Sequence, residues 1–437
     1  MAALGIDFGS SYTTMSWINP RHGKPEAIKF NGDGSVKFPS VILGTESGLE
    51  LGYSALSYLE EVNKLSSEES LEILSNFIPS IKRVLDPNGI EFLGGKKYTH
   101  FELLTQYFKF LKQLANEHCG NEIDFNEVTI SHPVEFEISK INLLKQSLLN
   151  AGFNTVKTTM EPVSAAFGYS IDHIINENEG LLIFDFGGGT IDVAFVKKHN
   201  GSLNLLCQPK GNSMCGGQDF DLLLYEDLRK RILCEYNKDI SYNGLLNYGM
   251  LNSCRRLKEH FSGQNDSYDT SVIFVNNNRI ITYKYKLSRE AFNNIIYQKA
   301  IEAINVAKEV IEQVKQKGIP ISKVLLIGGS SQLSIIRSML HDILPDSILD
   351  TCGEKDVAVA LGNIYVETEK TKIVDDNSQK ENSKSKKVND EVKLNYDRSI
   401  TCKNPNCNSK RCYKMIEKPG YHCVDCGWEG KNVVVVY

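Results

Sequence analysis

In the stretch LLIFDFGGGTIDVAFV, residues 181–196, Asp185 and Asp192 flank a turn made of Gly187, Gly188 and Gly189. The apolar runs on either side read as two strands of a buried hairpin. Glycine carries no Cβ, so the amides of such a turn can come close to an anion. Paired carboxylates suit a hydrated divalent cation. Two such turns facing each other could clamp a polyphosphate and its Mg2+, with amides around the phosphate oxygens and carboxylates holding the water-coordinated metal.

The same pattern occurs a second time. Residues 5–17, GIDFGSSYTTMSW, mirror residues 183–195, IFDFGGGTIDVAF, each with a strand ending in Asp-Phe-Gly, a small-residue turn and a returning strand. Two related hairpins facing each other would set Asp7 and Asp185 around a common space. One glycine-rich turn alone is more often only a turn, and it is the duplication with both Asp positions kept that makes the case. A dinucleotide-binding turn is disfavoured because the glycines lead into another strand, residues 190–196, and not into a helix. A P-loop is excluded for want of Gly-Lys-Ser/Thr.

The elements that must position these residues alternate in type. Strand-like runs at 4–7, 128–131, 181–185 and 324–327 are interleaved with amphipathic stretches at 141–151, 220–236 and 290–316. This predicts an α/β body over residues 4 to about 366 within a 437-residue chain, long enough for two or three domains. Residues 367–393 are nearly free of large apolar side chains and mix charges of both signs, as a solvated linker does. Forty-nine basic against 54 acidic side chains give a net charge of −5, so no global field favours nucleic acid or an anionic membrane. No stretch approaches the roughly 18 apolar residues of a membrane span, and the first residues do not resemble a secretory leader. The expected compartment is the cytoplasm. Six of the 11 cysteines are scattered, as reduced thiols are in that compartment, and five fall at 402–426.

In order along the chain, the blocks GIDFGSSYT, KFPSVI, IKRVLD, EPVSAAFGYS, IFDFGGGTIDVAF, MCGGQDFD, VLLIGGSSQL and DVAVALG resemble the ATPase domain of the Hsp70 chaperones, within the wider actin, sugar kinase and Hsp70 superfamily. The resemblance runs from about Leu4 to about Val366. It implies a two-lobed, actin-like ATPase fold with duplicated β-sheet subdomains and ATP or ADP in the central cleft. It also implies that Asp7, Gly9, Ser10, Ser11 and Tyr12 form a first phosphate loop, and that Asp185, Gly187, Gly188, Gly189 and Thr190 form a second. By the same match Lys82 contacts the terminal phosphate and Glu161 and Asp192 lie near the metal and the attacking water. Thr190 is expected to bond the γ-phosphate or the nucleophile. No single general base is assigned between Glu161 and Asp192.

On the adenosine side the resemblance implies roles for Gly216, Gly217, Lys258, Ser262, Gly328, Gly329, Ser330 and Asp356. Several residues depart from the family pattern: Arg255, Glu259, Gln218 and Gln332 near the nucleotide, and Ile141 where a relay through Pro133 usually has an arginine. The first four bear on base recognition and the last on coupling between domains. Hsp70 proteins usually continue into a peptide-binding domain, whereas the residues after Val366 here are linker and cysteine cluster. The expectation is that this chain alone does not bind unfolded peptides in the Hsp70 manner.

Cys402 and Cys407 form C-x4-C, and Cys423 and Cys426 form C-x2-C followed by Gly427. Two such knuckles suit one tetrahedral Zn2+, whose thiolate bonds would supply folding energy to a short segment, with Cys412 and His422 as substitute ligands. The predicted organisation is an ATPase domain at 1–367, a charged linker at 368–397 and a zinc ribbon at 398–437. The leading reading is an Hsp70-like, Mg2+-dependent ATP hydrolase that signals its nucleotide state to a protein partner docked partly through the ribbon, with a co-chaperone or exchange factor as a further partner. Nucleic acid and membrane are disfavoured. The alternatives are a small-molecule kinase of the same superfold, an actin-like filament former and a nucleotide-sensing scaffold without turnover.

Overall fold

The computed structural model describes residues 4–30, 34–62, 67–120, 123, 125–241, 245–263, 265–277, 279–352 and 356–366, with the backbone of three short strands near the C-terminus. The chain divides into a unit spanning Met1–Asp376 and a unit spanning Asn377–Tyr437.

Two sheets of the same design dominate the larger unit. In the first, the hairpin Leu4–Phe8 and Tyr12–Asn19 continues outward through Lys24–Ala27 on one side and through parallel strands Glu127–His132 and Thr155–Met160 on the other. In the second, the hairpin Gly180–Phe186 and Ile191–His199 continues through Ser202–Leu205 on one side and through parallel strands Lys323–Ile327 and Ile348–Thr351 on the other. Asp7 pairs in register with Thr14, and Asp185 pairs with Asp192. The duplication read in the sequence is therefore a duplication of whole sheets, and the fold is mixed α/β with two sheet-rich lobes.

The pattern of burial explains these elements. Every residue of Gly180–Phe186 is buried, as expected of a central strand covered on both faces. The helices His100–Cys119 and Ile138–Asn150 bury Leu103, Leu104, Leu111, Leu144 and Leu148 in the core of the first lobe. Helices Gly217–Tyr236 and Arg289–Gln316 bury Phe220, Leu224, Leu228, Ile296, Ala300 and Val310 in the core of the second. Local signals fix the starts of two of them. Thr99 and Glu102 form a reciprocal cap on the first helix, and Ser288 accepts from the Ala291 amide on the last.

Between the lobes, helix Glu161–Asp172 packs against helix Ala358–Tyr365. The approach is backbone to backbone: a Cβ on Gly362 would stand 1.8 Å from Ser164 O, and one on Gly168 would stand 2.0 Å from Ala358 O. Asn363 is fully buried there, its Nδ2 donating to Ile6 O at 2.7 Å and to Ser131 Oγ at 3.2 Å, and its Oδ1 accepting from Ser164 Oγ at 2.5 Å. This small-residue seam joins the central strands of the first lobe to a helix lying on the second.

Each lobe also carries a smaller sheet. Ile42–Thr45, Gly48–Leu51 and Phe77–Ile78 form one in the first half of the chain, and the long hairpin Ser267–Asn276 with Arg279–Ser288 forms the other in the second. Among the described residues no helix is long and apolar enough to cross a membrane. Cys119, Cys207, Cys215, Cys234, Cys254 and Cys352 are free thiols.

The smaller unit contributes backbone only. Strands Cys412–Lys414, Tyr421–Cys423 and Glu429–Gly430 pair antiparallel, with Cys412 opposite Cys423. The side chains of Cys402, Cys407, Cys412, His422, Cys423 and Cys426, and the linker at 368–397, lie outside the described residues.

Candidate active site

The turns of the two hairpins face each other. A Cβ built on Gly188 would fall 2.2 Å from Ser11 Oγ, and one on Gly189 would fall 2.1 Å from Ser10 Oγ. The Cβ on Gly189 would also lie 2.4 Å from Ser10 Cβ, so the close approach of the two loops depends on glycine there. The second turn is braced from behind: Gly187 O accepts from Gly217 N at 3.0 Å and from Ser330 Oγ at 2.8 Å, while Gly188 O accepts from Gln218 N at 2.7 Å. Gly216 is similarly constrained, since a Cβ there would lie 2.4 Å from the backbone of Gly189. Ser10 Oγ is buried without a hydrogen-bond partner among the described residues, in the loop where an anion's oxygens would fit.

Around these turns stand four carboxylates and one ammonium group. Lys82, on the short helix Ile81–Val84, places Nζ 2.5 Å from Glu161 Oε1, and both side chains are buried. Burial pushes Asp7 up to about 7, Glu161 adding and Lys82 opposing. Burial likewise raises Asp192 to about 7, with Glu161 adding, and the Val134 amide, Lys82 and Thr190 opposing. Asp185 is raised well above the usual carboxylate range by burial, then by Glu161, Asp192 and Asp7. Burial works against the charge on Lys82, but Glu161 and Asp7 outweigh it and hold the ammonium above its ordinary value. Such a cluster carries more negative charge than one lysine neutralises. Carboxylate oxygens are the donor type that a hydrated divalent cation takes, and Asp7 and Asp185 are the pair that could hold one here.

Beyond the second turn, Lys258 Nζ lies 2.8 Å from Gly217 O and 2.7 Å from Asp221 Oδ1, and Arg255 Nε lies 3.2 Å from Asp221 Oδ2. Ser330, Gly217 and Lys258 thus meet in one place. Gly328 takes φ +75° with its α-hydrogen side against Phe186 O, a conformation that favours glycine. Gly328, Gly329 and Ser330 follow the strand Lys323–Ile327 and lead into a 3₁₀ turn, Gly329–Gln332, and the α-helix begins only at Ser334. Ser262 sits just past the end of helix Tyr248–His260, its amide donating to Glu259 O at 3.1 Å. Asp356 pairs with Lys37 at 2.8 Å, and Lys37 in turn stands over the Tyr12 ring. Among the described residues no hydrogen bond or ion pair joins Ser262 or Asp356 to Lys258 or Ser330.

Arg83 and Asp221 were not singled out from the sequence, and Gln218 was noted only as a departure from the family pattern, without its partners. Arg83, next to Lys82, donates from Nη2 to Asp219 at 3.0 and 3.2 Å and from Nη1 to Gln218 Oε1 at 3.4 Å, tying the first half of the chain to the helix that starts at Gly217. Gln218 reaches back from the same helix, its Nε2 lying 3.3 Å from Ser11 Oγ. Asp221, 1% exposed, anchors both Arg255 and Lys258. Among the described residues no group of three or more His, Cys, Asp and Glu side chains is already drawn together as a ligand set for a metal ion.

Duplicated sheet lobes joined at crossed small-residue helices, with Asp-tipped hairpins facing between them, define the actin-like class of two-lobed folds. Residues 80–392 match the family described as Hsp70 protein, and the chain belongs to that family. It is 26% identical over 361 residues to the chaperone protein DnaK of Ureaplasma urealyticum, covering 79% of this chain and 56% of that protein. It is 27% identical over 371 residues to the chaperone protein HscA homolog of Acinetobacter baylyi, covering 82% and 56%. A DnaK of Metamycoplasma hominis is 24% identical over 371 residues, covering 83% and 59%. The chain thus spans little more than half the length of these relatives.

Proposed function

We propose that this protein binds ATP with Mg2+ between its lobes, hydrolyses it to ADP and phosphate, and uses the accompanying motion of the lobes to regulate a protein partner. The observation that carries this reading is the buried Lys82–Glu161 pair set among Asp7, Asp185 and Asp192, beside two glycine turns that almost touch. Lys82 supplies positive charge next to the transferring phosphoryl group. The turns at 9–12 and 187–190 supply amides that bind and orient the phosphates. Glu161 and Asp192 are the two carboxylates able to orient the attacking water, and Thr190 stands beside Asp192. Mg2+, when bound, neutralises charge on the phosphate oxygens. Gly216, Gly217, Lys258 and Ser330 form the wall offered to the nucleoside.

The layout of the two lobes supports the regulatory half of the proposal. Lobes joined at the Gly168–Gly362 crossing and bridged by Arg83 can report what lies between them only by changing how far they close. Partner docking through a zinc ribbon at 398–437 rests on the spacing of Cys402, Cys407, Cys423 and Cys426. Calorimetric titration of the full chain with ATP and ADP, with and without Mg2+, tests the binding step. Heat of binding that needs Mg2+ and is followed by phosphate release supports the proposal. Binding with no phosphate release identifies a nucleotide-sensing scaffold, and no binding removes both readings.

A further inference from the structure

One buried titratable side chain next to the carboxylate cluster has no part in the phosphate chemistry. His132 ends the strand Glu127–His132, pairs in register with Met160, the neighbour of Glu161, and is 8% exposed. Its Nδ1 lies 2.8 Å from Pro133 O. A carbonyl only accepts, so Nδ1 carries the hydrogen and donates it. Phe136 N donates to the same oxygen at 3.2 Å, so both lone pairs of that carbonyl are used. The opposite end of the same peptide unit is also held: Val134 N donates to Asp192 Oδ1 at 2.6 Å.

A peptide unit is planar, with its C=O and N–H pointing in opposite directions. Fixing the carbonyl therefore fixes the line along which the amide points. We infer that His132 is a positioning residue for Asp192, holding the Pro133–Val134 peptide so that its N–H meets the carboxylate of the other lobe. The contact spans the lobes, since His132 belongs to the first sheet and Asp192 to the second. Burial lowers the affinity of the imidazole for a second proton, and Lys82 adds to this against Pro133 and Glu161, which keeps the ring neutral with its hydrogen on Nδ1. The geometry stands by itself, while its importance for turnover rests on the ATPase reading above.

Three variants separate this role from simple packing. In His132→Asn the amide nitrogen is as many bonds from the backbone as Nδ1 and can make the same bond. In His132→Gln the nitrogen is one bond further out, and His132→Val has no donor. The first readout is hydrogen exchange of the Val134 amide in the full chain labelled with 15N-valine, with the Val324 amide in strand Lys323–Ile327 reporting global opening. Val134 should exchange roughly fivefold faster in the Gln and Val variants, relative to Val324, and within about twofold of the unmodified protein in the Asn variant. Should His132→Val fail to fold, the Gln and Asn variants make the same comparison. Equal protection of Val134 in all the variants, or loss of protection in the Asn variant equal to that in the Gln variant, overturns the inference. The second readout is ATP turnover, where a fall in kcat with KM unchanged, restored by Asn, supports it. Absence of turnover in the unmodified protein would remove the ATPase reading and leave the exchange result to decide the role of His132.

Discussion

Lys82 Nζ and Glu161 Oε1 are 2.5 Å apart, although 79 residues separate them in the chain. The helix Ile81–Val84 and the first residue of helix Glu161–Asp172 meet at the point where the two Asp-tipped hairpins converge. Removing the ammonium leaves four carboxylates with no internal counter-charge. Single-turnover hydrolysis by Lys82→Met should fall about 100-fold or more, the usual consequence of deleting a preorganised donor to a developing charge. ATP binding, measured by titration, should persist more strongly than hydrolysis.

The raised carboxylates give the nucleotide-free protein a specific pH signature. Asp7 and Asp192 titrate at about 7 when folded, against 3.8 for the free side chain. Between those values the folded state binds the extra protons, so their contribution to stability is complete below about pH 4 and is lost as pH rises through about 7. Asp192→Asn removes one such group. Denaturant melts of the two proteins in chelator should show the variant gaining on the unmodified chain between pH 5 and pH 8. A gain that shrinks over that interval would show that Asp192 is not held by burial.

Arg83 is the clearest link from the first lobe to the helix that starts at Gly217, through Asp219 and Gln218. If lobe closure retains the nucleotide, Arg83→Ala should speed release of a fluorescent ADP severalfold, with the catalytic cluster intact. The pair is partly buried, at 17% exposure on each side, so a loss of about 1 kcal/mol, near fivefold, is the expected scale.

At the seam between the crossed helices the tolerance is smaller. A methyl on Gly362 would meet Ser164 O at 1.8 Å, and that oxygen is backbone. Gly362→Ala should cost about 1–3 kcal/mol of stability in a thermal or denaturant melt. Gly23→Ala makes the comparison, since a Cβ there meets nothing within 4 Å and its φ of +67° leaves only the backbone penalty.

How much of this was legible beforehand depends on the range of the signal. The hairpins Leu4–Phe8 with Tyr12–Asn19 and Gly180–Phe186 with Ile191–His199 could be read locally, because short apolar runs, Asp-Phe-Gly and a small-residue turn lie within a few positions of one another. The helices at Gly217–Tyr236 and Arg289–Gln316 followed from their periodicity. Lys82 was not readable in this way: periodicity alone makes it a surface lysine, and only the family resemblance pointed inward. Arg83, Asn363 and His132 left no local signal, since each acts through partners from distant segments. Asp356 shows the opposite case, a motif position whose observed partner, Lys37, lies far away in sequence and was not anticipated.

The most direct test of the account is single-turnover hydrolysis of γ-labelled ATP by the purified full chain, compared with and without Mg2+. The account predicts that enzyme-bound ATP releases labelled phosphate faster than free ATP does, that Mg2+ is required, and that Lys82→Met and Asp185→Asn abolish most of the release. Phosphate release no faster than from free ATP, or release that is indifferent to Mg2+ and to both substitutions, would contradict it.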